Sequence, residues 1–174
     1  MEPTEPASAV VVRIPLPPVL ARVRRRWDWT ARVGVPPHVT VLFPFLPARS
    51  LDADVRRVLC EVASGQQPFD ARFARVGRFP GVVYLAPEPA EPFTGLTAGV
   101  VARYPDFPPY EGAFAEVVPH LTITEAEAAP WDAIADRTAL ALPFTYRVSA
   151  LEVLIEGGDG RWNRRWRIPL GVRP

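Results

Sequence analysis

The chain has 174 residues, of which 48% are hydrophobic, enough to bury the core of one domain or of two tightly joined lobes. Its net charge of +1 indicates neither an acidic nor a basic partner. All 20 basic residues are arginine, a composition typical of a GC-rich genome. The single cysteine, Cys60, excludes an internal disulfide framework and any zinc site built from cysteines.

Residues 1–7 are predicted to form a flexible N-terminal tail. This stretch is polar and acidic, unlike a signal peptide. No apolar run approaches the length of a membrane span. We therefore expect a cytoplasmic protein with no membrane partner. We also expect it to act as a monomer.

The first half of the chain predicts strands and helices in alternation. A β-branched run predicts a buried strand over 8–14, and apolar residues at helical spacing predict a helix over 19–27. The arginines from Arg22 to Arg26 are expected on its solvated faces, with nucleic-acid contact as the alternative. A second helix is predicted to begin at an N-cap, Ser50, and to end at Gly65. Strands over 69–76 and 82–85 follow, joined by a turn.

The same order of elements starts again after residue 85. A helix is predicted near 93–101, followed by a loop rich in proline and aromatic residues over 104–112. A strand over 117–124 and a helix over 130–140 come next. A long strand over 144–156 then pairs with a strand over 161–168 across a four-residue turn. Because both halves follow one plan, we interpret the chain as a structural duplication and not as a sequence repeat.

The two histidines of the chain lie in matched contexts, one in each half. His38 lies in the stretch PHVTV and His120 in the stretch PHLTI. Side chains alternate along a strand, so each histidine shares a face with the threonine two residues later, Thr40 or Thr122. If the halves pack about a pseudo-two-fold axis, both His–Thr pairs face one cleft.

Two histidines in one cleft suit in-line attack at phosphorus. Imidazole titrates near neutral pH, so one ring can be neutral and take a proton from the attacking hydroxyl. The other ring, protonated, gives a proton to the leaving oxygen. The two threonine hydroxyls can donate to the non-bridging phosphate oxygens as charge develops there. This set of groups works without a metal.

Three other interpretations of the histidines are less favoured. Catalytic zinc takes three protein ligands, and two histidines without a cluster of Asp, Glu or Cys make a poor zinc site. A serine hydrolase is not indicated, since no Gly-x-Ser-x-Gly stretch is present. A packing role at a strand start would explain one histidine well, but it explains two in matched contexts poorly.

With two His-x-Thr motifs the chain resembles the 2H phosphoesterase superfamily, in particular its bacterial 2′-5′ RNA ligase-like (LigT-like) branch. The stretches FARVGRFP (73–80) and VVYL (82–85) also resemble the family's segment between the motifs. The resemblance spans about residues 10–168. It implies an α+β fold, a bilobal pseudo-two-fold duplication in which two antiparallel β-sheets line a central cleft with helices outside. Residues 8–174 would then form a single domain of two intertwined lobes.

The resemblance also implies an activity and its residues. The substrates would be 2′,3′-cyclic phosphates at RNA ends or on nucleotides, with reversible 2′-5′ RNA ligation as a close variant, and no cofactor would be needed. His38 and His120 would be the acid–base pair, and Thr40 and Thr122 would bind the phosphate. Pseudo-symmetry leaves open which histidine is the base.

The aromatic loop before the second motif is the candidate for holding a base. Tyr110 and Phe107 could stack on it, or they could only pack the loop. Phe43, just after the first motif, is expected in the core. The alternative function from another class is a non-catalytic nucleotide- or RNA-binding module. A third hypothesis, an arginine-rich scaffold over 22–26, predicts salt-dependent RNA affinity that survives loss of both histidines.

Overall fold

The computed structural model describes residues 5–114 and 116–173. Its strands are β1 Ser8–Arg13, β2 His38–Leu42, β3 Phe69–Phe79, β4 Val82–Glu88, β5 Leu121–Glu125, β6 Phe144–Val148, β7 Ala150–Glu156 and β8 Trp162–Pro169. Its α-helices are α1 Pro18–Trp27, α2 Trp29–Arg32, α3 Ala53–Ser64, α4 Glu91–Val101 and α5 Trp131–Ala139. A short 3-10 turn lies at Ala48–Ser50, and Pro109–Gly112 forms a tight turn in which Tyr110 and Glu111 have positive φ.

The strands form one antiparallel sheet in the order β6-β3-β4-β5-β2-β1-β7-β8. A single residue pair, Val39 with Leu121, joins β2 to β5 at the centre and divides the sheet into two four-stranded halves. Each half carries one His-x-Thr strand on its inner side. The predicted α+β duplication is confirmed, and the two predicted sheets are halves of a continuous one.

The two halves of the chain exchange strands across this centre. The strand β3, from the first half of the chain, pairs with β4 and β6. The strand β7, from the second half, pairs with β1 and β8. The helices cross over as well, because α1 packs on β5 and α4 packs on β2. Neither half of the sheet is therefore built from one half of the chain.

Period-two alternation decides which face of the sheet is covered. In β1, Val10 and Val12 point into the main core, while Ala9 and Val11 belong to a small cluster on the opposite face. In β2, Val39 and Val41 are core residues, so His38 and Thr40 point to the open face. The helices bury one face of the sheet, and the other is left for a cleft.

Three predicted details are wrong. The N-cap of α3 is Asp52, whose carboxylate accepts a hydrogen bond from the N–H of Val55 at 2.9 Å, and the predicted cap Ser50 lies in the preceding 3-10 turn. The predicted strand over 144–156 is two strands separated at Ser149, since β6 pairs with β3 and β7 with β1. The second motif strand begins at Leu121, later than predicted.

Part of the predicted tail is bonded to the domain. Glu5 forms an ion pair with Arg49 at 2.9 Å. The carbonyls of Pro6 and Ala7 accept backbone hydrogen bonds from Ala48 and Glu156. The prediction for residues 1–4 falls outside the described residues. Across the described part of the chain, every helix is too short or too polar to cross a membrane.

Candidate active site

The first motif places its histidine at the start of β2. The Nδ1 of His38 donates a hydrogen bond to the carbonyl of Pro36 at 2.8 Å, which in the neutral ring leaves the lone pair on Nε2. The Oγ1 of Thr40 lies 3.1 Å from that Nε2. The prolines at 36 and 37 hold the approach to the strand extended. The ring is therefore oriented with its basic nitrogen beside the threonine.

The second motif repeats the Nδ1 hydrogen bond in the other half of the sheet. The Nδ1 of His120 donates to the carbonyl of Val118, also two residues earlier and also at 2.8 Å. The ring stands edge-on to Phe79 and Tyr84, with centroids 5.3 and 5.5 Å away. Both histidines are thus fixed as the same tautomer by backbone carbonyls.

Both motifs open into one cleft of about 330 Å³ on the uncovered face of the sheet. The antiparallel pairing of Val39 with Leu121 directs His38 toward Thr122 and Thr40 toward His120. All four side chains line the cleft. The sequence predicted this meeting, and the Val39–Leu121 pair is the contact that produces it.

A buried ion pair borders the cleft. Arg24 and Asp28, one helical turn apart, are 5% and 0% exposed and form a bridge of 2.8 Å. Arg24 also donates to the carbonyl of Val35 and the hydroxyl of Thr30, both at 2.9 Å. Arg24 was expected on a solvated face, but it turns inward because it binds the segment that leads to His38.

The Asp28 side of the pair reaches the second motif. Its carboxylate accepts from the Thr30 N–H at 3.2 Å and from the Thr30 hydroxyl at 2.8 Å. The backbone N–H of Glu125, at the end of β5, also favours the charged carboxylate. The pair therefore connects the approach to the first motif with the end of the second.

The cleft makes the two histidines electrostatically unequal. Burial lowers the pKa of His38 to about 4, and the positive charges of Arg24 and His120 act in the same direction, against the bond to Pro36. Burial also lowers the pKa of His120, but the Val118 carbonyl and the Glu125 carboxylate oppose the shift. The acidic neighbour thus favours the proton on His120 over His38.

Of the two loop residues predicted to stack on a base, only Tyr110 lines the cleft. Burial raises the pKa of its phenol, and a hydrogen bond with Thr40 opposes that shift. Its N–H bonds the Phe43 carbonyl at 2.6 Å, with the backbone in the left-handed region at φ 52°. Phe107 is half-buried against the main core, the packing position that was its alternative.

Sequence reasoning missed the aromatic wall of the cleft. Trp29 is 51% exposed at its rim, and Trp162 lies deeper, edge-on to Phe43 at 6.0 Å. Phe43 was expected in the core but lines the cleft. The sequence offers one signal, a tryptophan between two polar residues, Asp28 and Thr30, but Trp29 lies on a four-residue helix that is too short to be recognised by periodicity.

Gly77 provides the space for one of the rings beside His120. It pairs with Tyr84 in the sheet, and a Cβ at residue 77 would overlap the Tyr84 ring. We expect Gly77→Ala to lower the free energy of unfolding by about 1–3 kcal/mol, because the stacked Tyr84 and Phe79 must move. Thermal or urea unfolding measures the change.

The matched control for that substitution is Gly95→Ala, on the exposed face of α4. A Cβ there meets nothing within 4 Å, and alanine is the better helix former. We expect this variant to be stabilised by about 0.5–1 kcal/mol. An unchanged stability for Gly77→Ala would contradict the packing of Tyr84 described above.

No group of three or more His, Cys, Asp or Glu side chains that could hold a metal ion is found among residues 5–114 and 116–173. The cleft offers two imidazoles, the hydroxyls of three threonines and a tyrosine, one guanidinium, one carboxylate and an aromatic wall. Imidazoles can transfer protons, and hydroxyls can donate hydrogen bonds to an anion.

Comparisons with known proteins agree with this fold. TT0787 of Thermus thermophilus is similar at a TM-score of 0.63 and 20% identity, over 97% of this chain and 100% of that one. E. coli LigT in apo form matches at 0.56 and 19%, over 96% and 99% of the two chains. E. coli LigT complexed with 3′-AMP matches at 0.54 and 19%, over 95% and 99%. At these identities the similarity shows the shared fold.

A comparison with curated proteins finds no match. The family model of the 2′-5′ RNA ligase superfamily, however, matches residues 13–160, which is most of the chain. The resemblance stated from the two His-x-Thr motifs is thereby confirmed. The chain belongs to the 2′-5′ RNA ligase superfamily.

Proposed function

We propose that the protein is a metal-independent phosphodiesterase that opens 2′,3′-cyclic phosphates at RNA ends or on nucleotides. The observation that carries the proposal is the meeting of both His–Thr pairs in one cleft. Water attacks phosphorus and loses a proton to one imidazole, while the other imidazole protonates the O2′ or O3′ that leaves. The product is a phosphomonoester. Reversible 2′-5′ ligation would use the same two proton transfers.

The unequal neighbours of the two histidines support a division of roles. His38 is the general base, because burial and the charge of Arg24 keep its ring neutral. His120 is the general acid, because Glu125 favours its protonated form. The hydroxyls of Thr40 and Thr122 donate to the non-bridging oxygens of the phosphoryl group.

The aromatic wall is proposed to hold the nucleobase. Trp29, at the rim, presents a side chain that is 51% exposed. Base stacking on such a ring contributes about 1–3 kcal/mol and tolerates any base. Tyr110 remains a proposed substrate contact, with its hydroxyl beside Thr40. The complex of E. coli LigT with 3′-AMP supports a nucleotide as the ligand class.

The decisive test is turnover of 2′,3′-cyclic nucleotides and of RNA ending in a cyclic phosphate, with EDTA present. The wild type is compared with His38→Ala/His120→Ala. Turnover that resists EDTA and disappears in the double variant is expected. Nucleotide binding without turnover in the wild type would favour a binding module, and activity removed by EDTA would contradict the metal-independent mechanism.

The assigned roles predict the pH dependence of kcat/KM. The rate needs His38 unprotonated and His120 protonated. It therefore rises with pH through the His38 pKa of about 4 and falls again through the His120 pKa, which burial lowers from 6.5. We expect a bell-shaped profile with its maximum on the acidic side of 6.5, measured on a cyclic mononucleotide at constant ionic strength. A maximum in the alkaline range would contradict the assignment.

A further inference from the structure

A second cavity lies on the far side of α1 from the cleft. It has a volume of about 420 Å³ and runs between α1 and α5. Its apolar floor includes Trp27 and Ile134. Its edges carry three exposed arginines, Arg22, Arg26 and Arg137. We call it the arginine groove.

The charges of the arginine groove are not used within the domain. Among the described residues, none of its three guanidinium groups forms an ion pair or a side-chain hydrogen bond, although Arg26 stacks 5.1 Å over Trp27. The acidic residue at the start of α5, Asp132, is bonded to Arg78 at 2.8 Å. In the described part of the chain, the three guanidinium groups at the edges of this concave surface therefore keep N–H donors that a ligand can bind.

This combination of groups fits a phosphodiester strand. Arginine binds phosphate oxygens through two parallel N–H donors, and the Trp27 ring supports the Arg26 guanidinium that lies over it. A groove also follows a strand better than it matches a flat lipid surface. On α1, Arg24 lines the cleft. Arg22 and Arg26 lie two residues before and after it, on the opposite face of the helix, and line the groove. A helix is about 10–12 Å across with its side chains, so one RNA strand could span both.

We infer that the arginine groove binds the phosphate backbone of single-stranded RNA upstream of the end held in the cleft. This inference rests on the proposed function for the identity of that end. It gives α1 two roles, one on each face. It also predicts that affinity depends on RNA length, since a mononucleotide reaches only the cleft.

The test is binding of fluorescent single-stranded RNA of about 12 nucleotides, a length within known site sizes, measured by anisotropy at several salt concentrations. The variant is Arg22→Gln/Arg26→Gln/Arg137→Gln. Its control is Arg56→Gln/Arg165→Gln/Arg173→Gln, which removes the same charge from exposed positions outside both cavities. The groove variant is expected to raise Kd by about tenfold or more and to lower the salt slope by about 2. The control should change little.

Because binding is measured directly, the result does not depend on whether the cleft turns over a cyclic phosphate. Equal affinity of the groove variant and the control would overturn the inference. So would a groove variant that keeps RNA affinity but loses binding to vesicles containing phosphatidylserine, which would assign the groove to a membrane surface. Length-dependent affinity lost only in the groove variant would support it.

Discussion

Replacing either His38 or His120 with alanine is expected to lower kcat on a 2′,3′-cyclic nucleotide by about 10²–10⁴-fold, the usual contribution of one proton transfer. Each ring occupies a separate half of the sheet and bonds only its own segment through Nδ1. Neither can therefore replace the other. Single-turnover kinetics with the wild type and both variants measures the loss, and the double variant should fall by less than the product of the two.

The pH profiles of the two variants distinguish catalysis from a merely structural loss. His38→Ala should lose the acidic limb of the profile, and His120→Ala should lose the alkaline limb. The control is Phe107→Leu, which changes an aromatic side chain in the loop before the second motif. Phe107 packs on the core and does not line the cleft. It should keep both limbs. A histidine variant that retains the wild-type rate, or that loses activity with its bell-shaped profile intact, would contradict the mechanism.

The motif strands could be predicted because their information is local. His38 and Thr40 share one face of a strand, and the residues that alternate with them are core residues, so the sequence pattern alone specifies the polar face. The matched pair in the second half then specifies a duplication. The pairing of Val39 with Leu121 follows if the halves are related by a two-fold axis.

The rest of the site depends on contacts that are distant in sequence. Arg24 is indistinguishable in sequence from the exposed arginines beside it, because its burial is set by the Val35 carbonyl and Asp28. Phe43 has the sequence context of a core residue, but it packs against Trp162 from the last strand, and both residues line the cleft. The break at Ser149 likewise arises from distant partners, because the residues before it pair with β3 and the residues after it pair with β1.

The Arg24–Asp28 pair is the feature of the fold that we expect to be most sensitive to a single change. Asp28→Ala should lower the free energy of unfolding by about 3–5 kcal/mol, because it leaves a buried guanidinium without its counter-charge. Urea unfolding should show a lower midpoint with an unchanged slope. The change removes carboxylate contacts to Thr30 and Glu125 as well, so both ends of the cleft lose support.

The double variant Arg24→Met/Asp28→Leu shows whether the loss comes from the unpaired charge. Burial lowers the pKa of Arg24 and raises the pKa of Asp28, so both charged forms are costly where they lie. Both Asp28→Ala and the double variant remove the carboxylate bonds to Thr30 and Glu125. The double variant also leaves the Val35 carbonyl unbonded, at about 1–3 kcal/mol, but it removes the uncompensated charge, so it should destabilise the fold by less than Asp28→Ala alone. If the double variant lost as much free energy of unfolding as Arg24→Met and Asp28→Leu together, the pair would act through shape and not through charge. A stable double variant with weakened turnover would instead show that the pair is retained to position His38, since its bond to Val35 lies three residues before that ring.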